Sequence, residues 1–347
     1  MRRRCWSVLP WGLMSMLALA CSNEAAPAKS PGAGGSGAGT ASGGSGAMTN
    51  GGKAPTAGAS AEPSGGGGSS SGAGSAGAAS DGGGGMAPSA GMGGGGAAPT
   101  GPELLRATFD AATPGPYAEA AVEADFNGAP TWNDGLDEGR ASIVEEGDQR
   151  FLRVTYPANQ FGPANGGVQF KVPLGGSHEE LFFAYRVRFG AGFSFMKGGK
   201  LPGLVGGSSP TGCSPDPDGF SARNMWRGGG DIVQYVYWPE QPNTCGDDLD
   251  YEAGGDALAF NPGQWHTVEH RVRMNAVGSQ DGVLEAWVDG ELSLSDDARL
   301  WRNDGSFAID TLYFSTFFGG SDSSWAPASA QTVDFDDLVV STEPISQ

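Results

Sequence analysis

Short runs in which hydrophobic and polar residues alternate recur through residues 103–347, with Gly, Pro, Asn and Asp between them. A period of two places successive side chains on opposite faces of a β-strand, and these turn residues end strands. The clearest runs are residues 150–157, 167–174, 181–190, 265–275, 282–292, 309–320 and 333–341. One weakly patterned helix candidate covers residues 117–126. The pattern predicts an all-β domain, a β-jelly roll whose two antiparallel sheets form a curved sandwich.

Two further runs, GFSARNMWR (219–227) and IVQYVYW (232–238), place polar side chains at every second position. The residues that share a face in this way are Ser221, Arg223, Met225 and Arg227 on the first run and Tyr235 and Tyr237 on the second. The alternate positions are largely apolar, so we predict that the polar faces form the concave side of a curved sheet. A solvated outer face with incidental polar residues is the alternative, and periodicity leaves it open.

The first 21 residues predict export. Residues 2–4 are arginines, and they precede an apolar run at residues 8–20 that is too short to span a bilayer. The run ends in LALAC, which resembles a bacterial lipoprotein signal with Cys21 as the lipidated residue. We therefore expect a protein anchored by lipid to the bacterial outer membrane or cell surface. An ordinary secretory signal is the alternative, and it would give a secreted protein.

Residues 22–102 are almost entirely Gly, Ala, Ser, Pro and Thr. Such a segment has too little apolar surface to offset the entropy lost on ordering, so we predict a disordered linker. Residues 103–347 then form the domain. Of the 20 basic and 39 acidic residues of the chain, five and three lie in residues 1–102, which leaves the domain with a net charge of −21. This excludes nucleic acid as a partner, because its binding depends on basic surfaces.

The domain contains two cysteines, Cys213 and Cys245, and both lie in turn-rich stretches. In an exported protein, two such cysteines are expected to pair, and we predict a structural disulfide between them. No CxxC motif or cluster of histidines accompanies them, so a metal site is not predicted. We also expect a monomer.

The common hydrolytic motifs are missing. The sequence has no convincing pair of carboxylates on one strand, no G-x-S-x-G motif and no phosphate-binding loop. The acidic FDDLVV stretch in the last run is interpreted as structural, and His270 as a sheet or core residue because it alternates with apolar neighbours.

Arginine, lysine and tyrosine suit a different reaction, β-elimination in a uronic acid polymer. A base removes the proton at C5 and the bond at O4 breaks, provided that cations neutralise the adjacent carboxylate and stabilise the enolate. A tyrosine, or a lysine with a lowered pKa, can move the protons. This chemistry requires no metal or cofactor.

Three motifs make a resemblance specific: KGGKLPGLVGG (197–207), GFSARNMWR (219–227) and YVY (235–237). Together with later segments, they resemble family 14 of the polysaccharide lyases, and the likeness spans most of residues 193–340. The resemblance implies a β-jelly roll that acts on alginate or glucuronan, with an acidic polysaccharide as its partner.

The resemblance also implies site residues. The active-site lysine falls on Lys200, the serine and arginine on Ser221 and Arg223, and the two tyrosines on Tyr235 and Tyr237, while Lys197 and Arg227 would line or support the cleft. Arg223 and Lys200 would neutralise the carboxylate, Ser221 would orient the sugar, and a tyrosine would act as base and then acid. Lys200 as the base is the competing assignment. The glycines at 198 and 199 would let the backbone approach the sugar.

A lyase is therefore the leading interpretation of the sequence. The alternative is a non-catalytic, lectin-like jelly roll, because such domains share the WVDG and FDDLVV features. A hydrolase that acts on a neutral glycan is a third hypothesis. The lyase alone would produce a conjugated alkene.

Overall fold

The structure is a computed structural model that describes residues 102–345. The predicted signal peptide of residues 1–21, its Cys21 and nearly all of the linker at residues 22–102 lie outside the described residues. Within residues 102–345, no helix is long and apolar enough to cross a membrane.

The described part of the chain is built mainly from antiparallel strands. In chain order they are β1 Glu103–Ala107, β2 Gly115–Pro116, β3 Asn133–Asp134, β4 Ala141–Glu146, β5 Gln149–Tyr156, β6 Gly167–His178, β7 Glu180–Phe189, β8 Gly198–Gly207, β9 Gly219–Arg227, β10 Ile232–Tyr237, β11 Asp247–Asp250, β12 Glu252–Ala253, β13 Asp256–Ala257, β14 Trp265–Arg273, β15 Gly282–Val288, β16 Glu291–Arg299, β17 Ile309–Phe318 and β18 Gln331–Ser341. Two short α-helices are α1 Glu119–Asp125 and α2 Pro163–Gly166, and two 3₁₀ turns cover Gly228–Gly230 and Ser323–Trp325.

The strands form two large sheets. One, here called the outer sheet, has the order β16-β15-β14-β7-β18-β5-β4-β2, with β1 also paired to β18. The other, here called the site sheet, has the order β11-β10-β9-β8-β17-β6-β3. All pairings in both sheets are antiparallel, and neighbours in a sheet are often distant in sequence. The predicted all-β jelly-roll sandwich is confirmed.

A core rich in aromatic residues joins the sheets. Trp226 on β9 is fully buried and packs edge-to-face against Phe189 on β7, with ring centroids 5.4 Å apart. Phe314 on β17 similarly meets Phe335 on β18 at 5.0 Å. Apolar side chains at every second position of each strand supply this core, so the intervening positions of the site sheet face away from it.

The predicted runs correspond to β5, β6, β7, β14, β15, β17 and β18, and the helix candidate corresponds to α1. One prediction was wrong: residues 282–292 are not a single strand. Asp289 and Gly290 both have positive φ, 52° and 83°, and they connect β15 to β16 as a tight hairpin. An Asp-Gly pair readily adopts this left-handed conformation, which is why the chain reverses there.

Candidate active site

A cavity of about 760 Å³ lies on the face of the site sheet that points away from the core. Six strands of that sheet and the loops near their ends supply its walls. The strand residues that line it are Gln169, Lys200, Arg223, Met225, Arg227, Tyr235, Tyr237, Asp247, Asp248, Tyr313 and Phe317. The polar face predicted from alternation in β9 and β10 is therefore the wall of a cavity, and the alternative of an incidental solvated face is wrong.

Arg223 lies at the base of this cavity with 1% of its surface exposed. Its Nη1 donates to Ser315 Oγ at 3.2 Å, and its guanidinium lies 5.0 Å from the centre of the Tyr313 ring. Its Nε and Nη2 have no hydrogen-bond partner, and no carboxylate of residues 102–345 lies within 4 Å of the guanidinium. A buried guanidinium without an acidic partner is costly, so its free N–H groups are suited to binding an anion.

Lys200 projects from β8 beside Arg223. Its Nζ lies 3.3 Å from the centre of the Tyr235 ring and 2.7 Å from Met225 Sδ. Burial, reinforced by the charges of Arg223 and Arg227, lowers the pKa of the Lys200 ammonium well below its usual value. The side chain can therefore be a neutral amine, which accepts a proton, at a pH where an ordinary lysine cannot.

Tyr235 and Tyr237 occupy alternate positions of β10, and their hydroxyl oxygens are 3.3 Å apart. Each oxygen also accepts a backbone hydrogen bond, Tyr237 from Cys213 N–H at 2.8 Å and Tyr235 from Gly246 N–H at 3.0 Å. Burial and the adjacent Tyr237 raise the pKa of Tyr235, and the Gly246 amide opposes this rise. Tyr235 is therefore protonated at neutral pH and can serve as a proton donor.

The predicted disulfide between Cys213 and Cys245 is confirmed. It joins the loop between β8 and β9 to the loop between β10 and β11, and both half-cystines line the cavity. Among residues 102–345, no three His, Cys, Asp or Glu side chains are grouped in a way that could hold a metal ion.

The remaining predicted residues occupy different positions. Arg227 lines the cavity, but its guanidinium is held by both carboxylate oxygens of Asp248, at 2.8 and 2.5 Å. Lys197 is exposed near the cavity, where it contacts Ser324 and lies 5.8 Å from the Trp325 ring. Ser221 is fully buried outside the cavity lining and donates to Pro210 O at 2.9 Å. Its predicted contact with the sugar has no support in this geometry.

The glycines at 198 and 199 serve packing. A Cβ on Gly199 would lie 2.1 Å from the Trp226 ring and 2.5 Å from Phe317 O, and one on Gly198 would lie 2.6 Å from Trp226 O. These glycines therefore let β8 lie directly against Trp226. The sequence analysis gave another reason for these glycines, a close approach of the backbone to the sugar.

Several cavity residues were not predicted from the sequence. Tyr313 and Phe317 on β17 and Gln169 on β6 alternate with core residues, so the rule applied to β9 and β10 would have found them. Trp132, 37% exposed, and Trp325 come from loops, and no local pattern marks them.

His270 lies in the core, as expected. It is fully buried, and its Nδ1 is 3.4 Å from Asn224 Nδ2. Burial lowers its pKa to about 3, so the ring is neutral and takes no part in the cavity.

Comparison with known proteins supports the same fold. The family model described as polysaccharide lyase 14 matches residues 144–338, more than half of the chain. This chain belongs to polysaccharide lyase family 14. The match includes β8, β9 and β10 with Lys200, Arg223 and both tyrosines, whereas Trp132 lies before it.

Solved lyases share the fold of this family 14 member. Alginate lyase Aly36B is 25% identical with a TM-score of 0.61, covering 71% of this chain and 99% of its own. An alginate lyase from Aplysia kurodai is 24% identical with a TM-score of 0.58, covering 70% and 99%, and one from a Chlorella virus is 22% identical with a TM-score of 0.54, covering 62% and 93%. No curated protein sequence matches the chain. The protein is thus a polysaccharide lyase, and nothing in these comparisons supports the lectin alternative.

Proposed function

We propose that the protein cleaves a β-1,4-linked uronic acid polymer, alginate or glucuronan, by β-elimination and leaves an unsaturated uronate end. The observation that carries this proposal is the buried Arg223 at the base of the cavity, whose Nε and Nη2 lack hydrogen-bond partners in the part of the chain that the structure describes. A uronate carboxylate would supply the missing acceptors, and pairing it with a guanidinium makes the C5 proton easier to remove.

Lys200 is the base in this proposal. Its neighbours Arg223 and Arg227 and its burial favour the neutral amine, which can take the C5 proton and become an ammonium. The electron pair of the C5–H bond then forms the C4=C5 double bond, and the glycosidic bond at O4 breaks. This choice differs from the tyrosine base favoured by the sequence, because the raised pKa of Tyr235 makes its phenolate unfavourable before reaction.

The tyrosine pair supplies the acid. The hydroxyls of Tyr235 and Tyr237 form one hydrogen-bonded unit beside Lys200, and both line the cavity. A phenol proton passed to O4 would let the leaving sugar depart as an alcohol rather than an alkoxide.

The loops around the cavity suit a polymer rather than a single sugar. Trp132 lines the cavity, as does Trp325, and flat aromatic rings of this kind pack against sugar rings. The similar solved proteins are named alginate lyases, and a variant of Aly36B has been solved with an alginate tetrasaccharide. These titles support a polymeric uronate as the substrate class here.

The test is a panel of mannuronate-, guluronate- and glucuronate-rich polymers, read by the ultraviolet absorbance of the conjugated alkene. We expect alkene formation with at least one polymer and its loss in Lys200→Met, which keeps a long side chain but has no amine. The activity of the wild-type enzyme should rise with pH along a limb centred well below 10.5, as the neutral amine forms. Full activity of Lys200→Met, or reducing ends without alkene, would exclude the mechanism.

The proposal for location is export as a lipoprotein anchored through Cys21, with residues 22–102 as the linker and a monomeric domain. It is supported by the LALAC sequence and by the composition of the linker. A Cys21→Ala variant should fail to incorporate radiolabelled palmitate in bacteria and should leave the membrane fraction. Analytical ultracentrifugation of residues 103–347 should give the mass of one chain, and a dimer would contradict the proposed monomer.

A further inference from the structure

Both phenols of the cavity are held by amides that come from other parts of the chain. Tyr237 accepts from Cys213 N–H at 2.8 Å, and Tyr235 accepts from Gly246 N–H at 3.0 Å. The tyrosines are on β10, whereas the two amides belong to the loops before β9 and before β11. Two loops therefore converge on the phenols at one end of the β9–β10 pair.

The disulfide joins these loops at the residues that make the contacts. Cys213 itself supplies one amide, and Gly246, which supplies the other, directly follows Cys245. Both half-cystines are exposed, while the phenols beneath them are buried. The covalent bond is thus a short link between the two donors.

Gly246 is required for the close approach. A Cβ at this position would lie 2.6 Å from Val236 O, 2.8 Å from the Tyr237 ring and 3.0 Å from the Tyr235 ring. All three neighbours belong to β10, which is paired with β9, so a larger residue would move the 246 amide away from the phenol.

Ser221 holds the other loop. Its hydroxyl is fully buried and donates to Pro210 O at 2.9 Å, three residues before Cys213. Because this hydroxyl is bonded to the loop and lies outside the cavity lining, Ser221 acts on the position of the loop rather than on the sugar.

We propose that the Cys213–Cys245 disulfide, Gly246 and Ser221 form a positioning device that holds two backbone amides against the reacting phenols. The inference rests on the proposed β-elimination. A phenol that gives its proton to the leaving oxygen becomes negatively charged, and a fixed N–H donor stabilises that charge without reorganisation. The amides of Cys213 and Gly246 have this arrangement before substrate binds.

The first test measures the hydrogen bonds without any substrate. Hydrogen exchange at the 213 and 246 amides should be slow in the oxidised protein. Exchange at 213 should become faster in Tyr237→Phe, and exchange at 246 should become faster in Tyr235→Phe, because each variant removes one acceptor. Unchanged exchange at both amides in these variants would overturn the inference, whether or not the enzyme acts on a uronan.

The second test compares kcat with KM on the polymer that the wild-type enzyme cleaves. Dithiothreitol gives two electrons and two protons to the disulfide and becomes a cyclic disulfide, leaving two cysteine thiols. We expect kcat to fall roughly tenfold to hundredfold with little change in KM, and to return on reoxidation. The Cys213→Ala/Cys245→Ala variant should show the same low kcat and should not respond to the reductant.

Three single substitutions complete the kinetic test. Gly246→Ala keeps the disulfide but displaces one amide, and Ser221→Ala frees the other loop, so both should lower kcat more than they raise KM. Gly305→Ala is the matched control, because the nearest atom to its Cβ would be 3.9 Å away and its activity should equal that of the wild type. A rise in KM with unchanged kcat in reduced enzyme, Gly246→Ala and Ser221→Ala would overturn the positioning role. Absence of alkene from oxidised wild-type enzyme would instead count against the proposed function.

Discussion

The two sheets of this protein treat arginine charge in opposite ways. On the outer sheet, Asp334 is 2% exposed and accepts hydrogen bonds from Arg153 at 2.7 Å and from Arg188 at 2.8 Å. On the site sheet, Arg223 is 1% exposed, and among residues 102–345 it has only Ser315 as a hydrogen-bond partner. The first arrangement neutralises charge within the fold, whereas the second leaves charge available.

The comparison distinguishes arginines that stabilise the fold from an arginine that can bind a ligand. The domain that contains both kinds has a net charge of −21. With so many carboxylates available, a buried arginine without one is costly to the fold. Asp334, which directly precedes the acidic FDDLVV stretch, is accordingly structural, as the sequence suggested for this acidic region. The unusual group is Arg223, a buried cation that no carboxylate of residues 102–345 neutralises. It lines the cavity and lies within the residues that the family model matches.

The largest expected effect comes from Arg223→Met. Removing the guanidinium should lower kcat/KM about a thousandfold or more, because neither the carboxylate nor the enolate is then stabilised. The melting temperature should stay the same or rise, since a desolvated, unpaired charge has been replaced by an apolar side chain. Alkene formation and thermal denaturation measure the two effects, and a folded variant with full activity would contradict the assignment.

The matched substitution on the outer sheet, Arg188→Met, should lower the stability of the protein and leave its activity unchanged. It removes one of two arginines from the buried Asp334, so the free energy of unfolding should fall by about 1–3 kcal/mol. Urea denaturation measures this change. Since Arg188 is on the other sheet, kcat and KM should equal those of the wild type, and a specific loss of kcat would break the comparison.

Trp132→Ala tests the wall of the cavity. Losing the ring should raise KM for the polymer about fivefold to tenfold and change kcat little, because Trp132 lines the cavity and is expected to pack against a sugar ring rather than to move protons. The increase should shrink with short oligosaccharides that do not reach the ring. Trp287→Ala, on the outer sheet, is the control, and an equal increase in KM there would argue against a specific contact at Trp132.

Asp336, on the outer sheet, gives a pH-dependent prediction. Burial and the adjacent Asp337 raise its pKa from 3.8 to about 7. A folded-state pKa above the unfolded value contributes stability at low pH that is lost as the pH rises from about 4 to 7. Asp336→Asn should therefore match the wild type near pH 4 and be more stable near pH 8 by an amount on the order of 1 kcal/mol or more. Melting temperatures of the variant and the wild type, measured from about pH 4 to pH 8, test this prediction. A difference in melting temperature that stays the same at every pH would refute it.

The smallest expected effect is that of salt. A polyanion is repelled at long range by the acidic domain, and moderate salt screens that repulsion more than the buried contact with Arg223. We expect kcat/KM to stay constant or rise modestly as salt is added at fixed pH. A steep fall would indicate that exposed cations, such as Lys197, dominate capture of the substrate.

The predictions from sequence succeeded where the signal is local. Alternation located most of the strands and placed Arg223, Tyr235 and Tyr237 on one face, because the period of a strand is a property of its own backbone. It failed at Asp289 and Gly290, where two residues reverse a chain whose hydrophobic pattern continues across the turn. The packing role of Gly199 was not predicted, because the Trp226 ring that requires it comes from a neighbouring strand.

From the residues alone we could predict the β-sandwich class, the polar faces of β9 and β10, the pairing of Cys213 with Cys245 and the resemblance to family 14. The folded chain was needed to show that the polar face borders a cavity, that no carboxylate of residues 102–345 pairs with Arg223 and that loop amides reach the phenols. The physical reason is distance along the chain. Strand periodicity is fixed by adjacent residues, whereas burial and hydrogen-bond partners depend on segments that meet only when the sheets assemble.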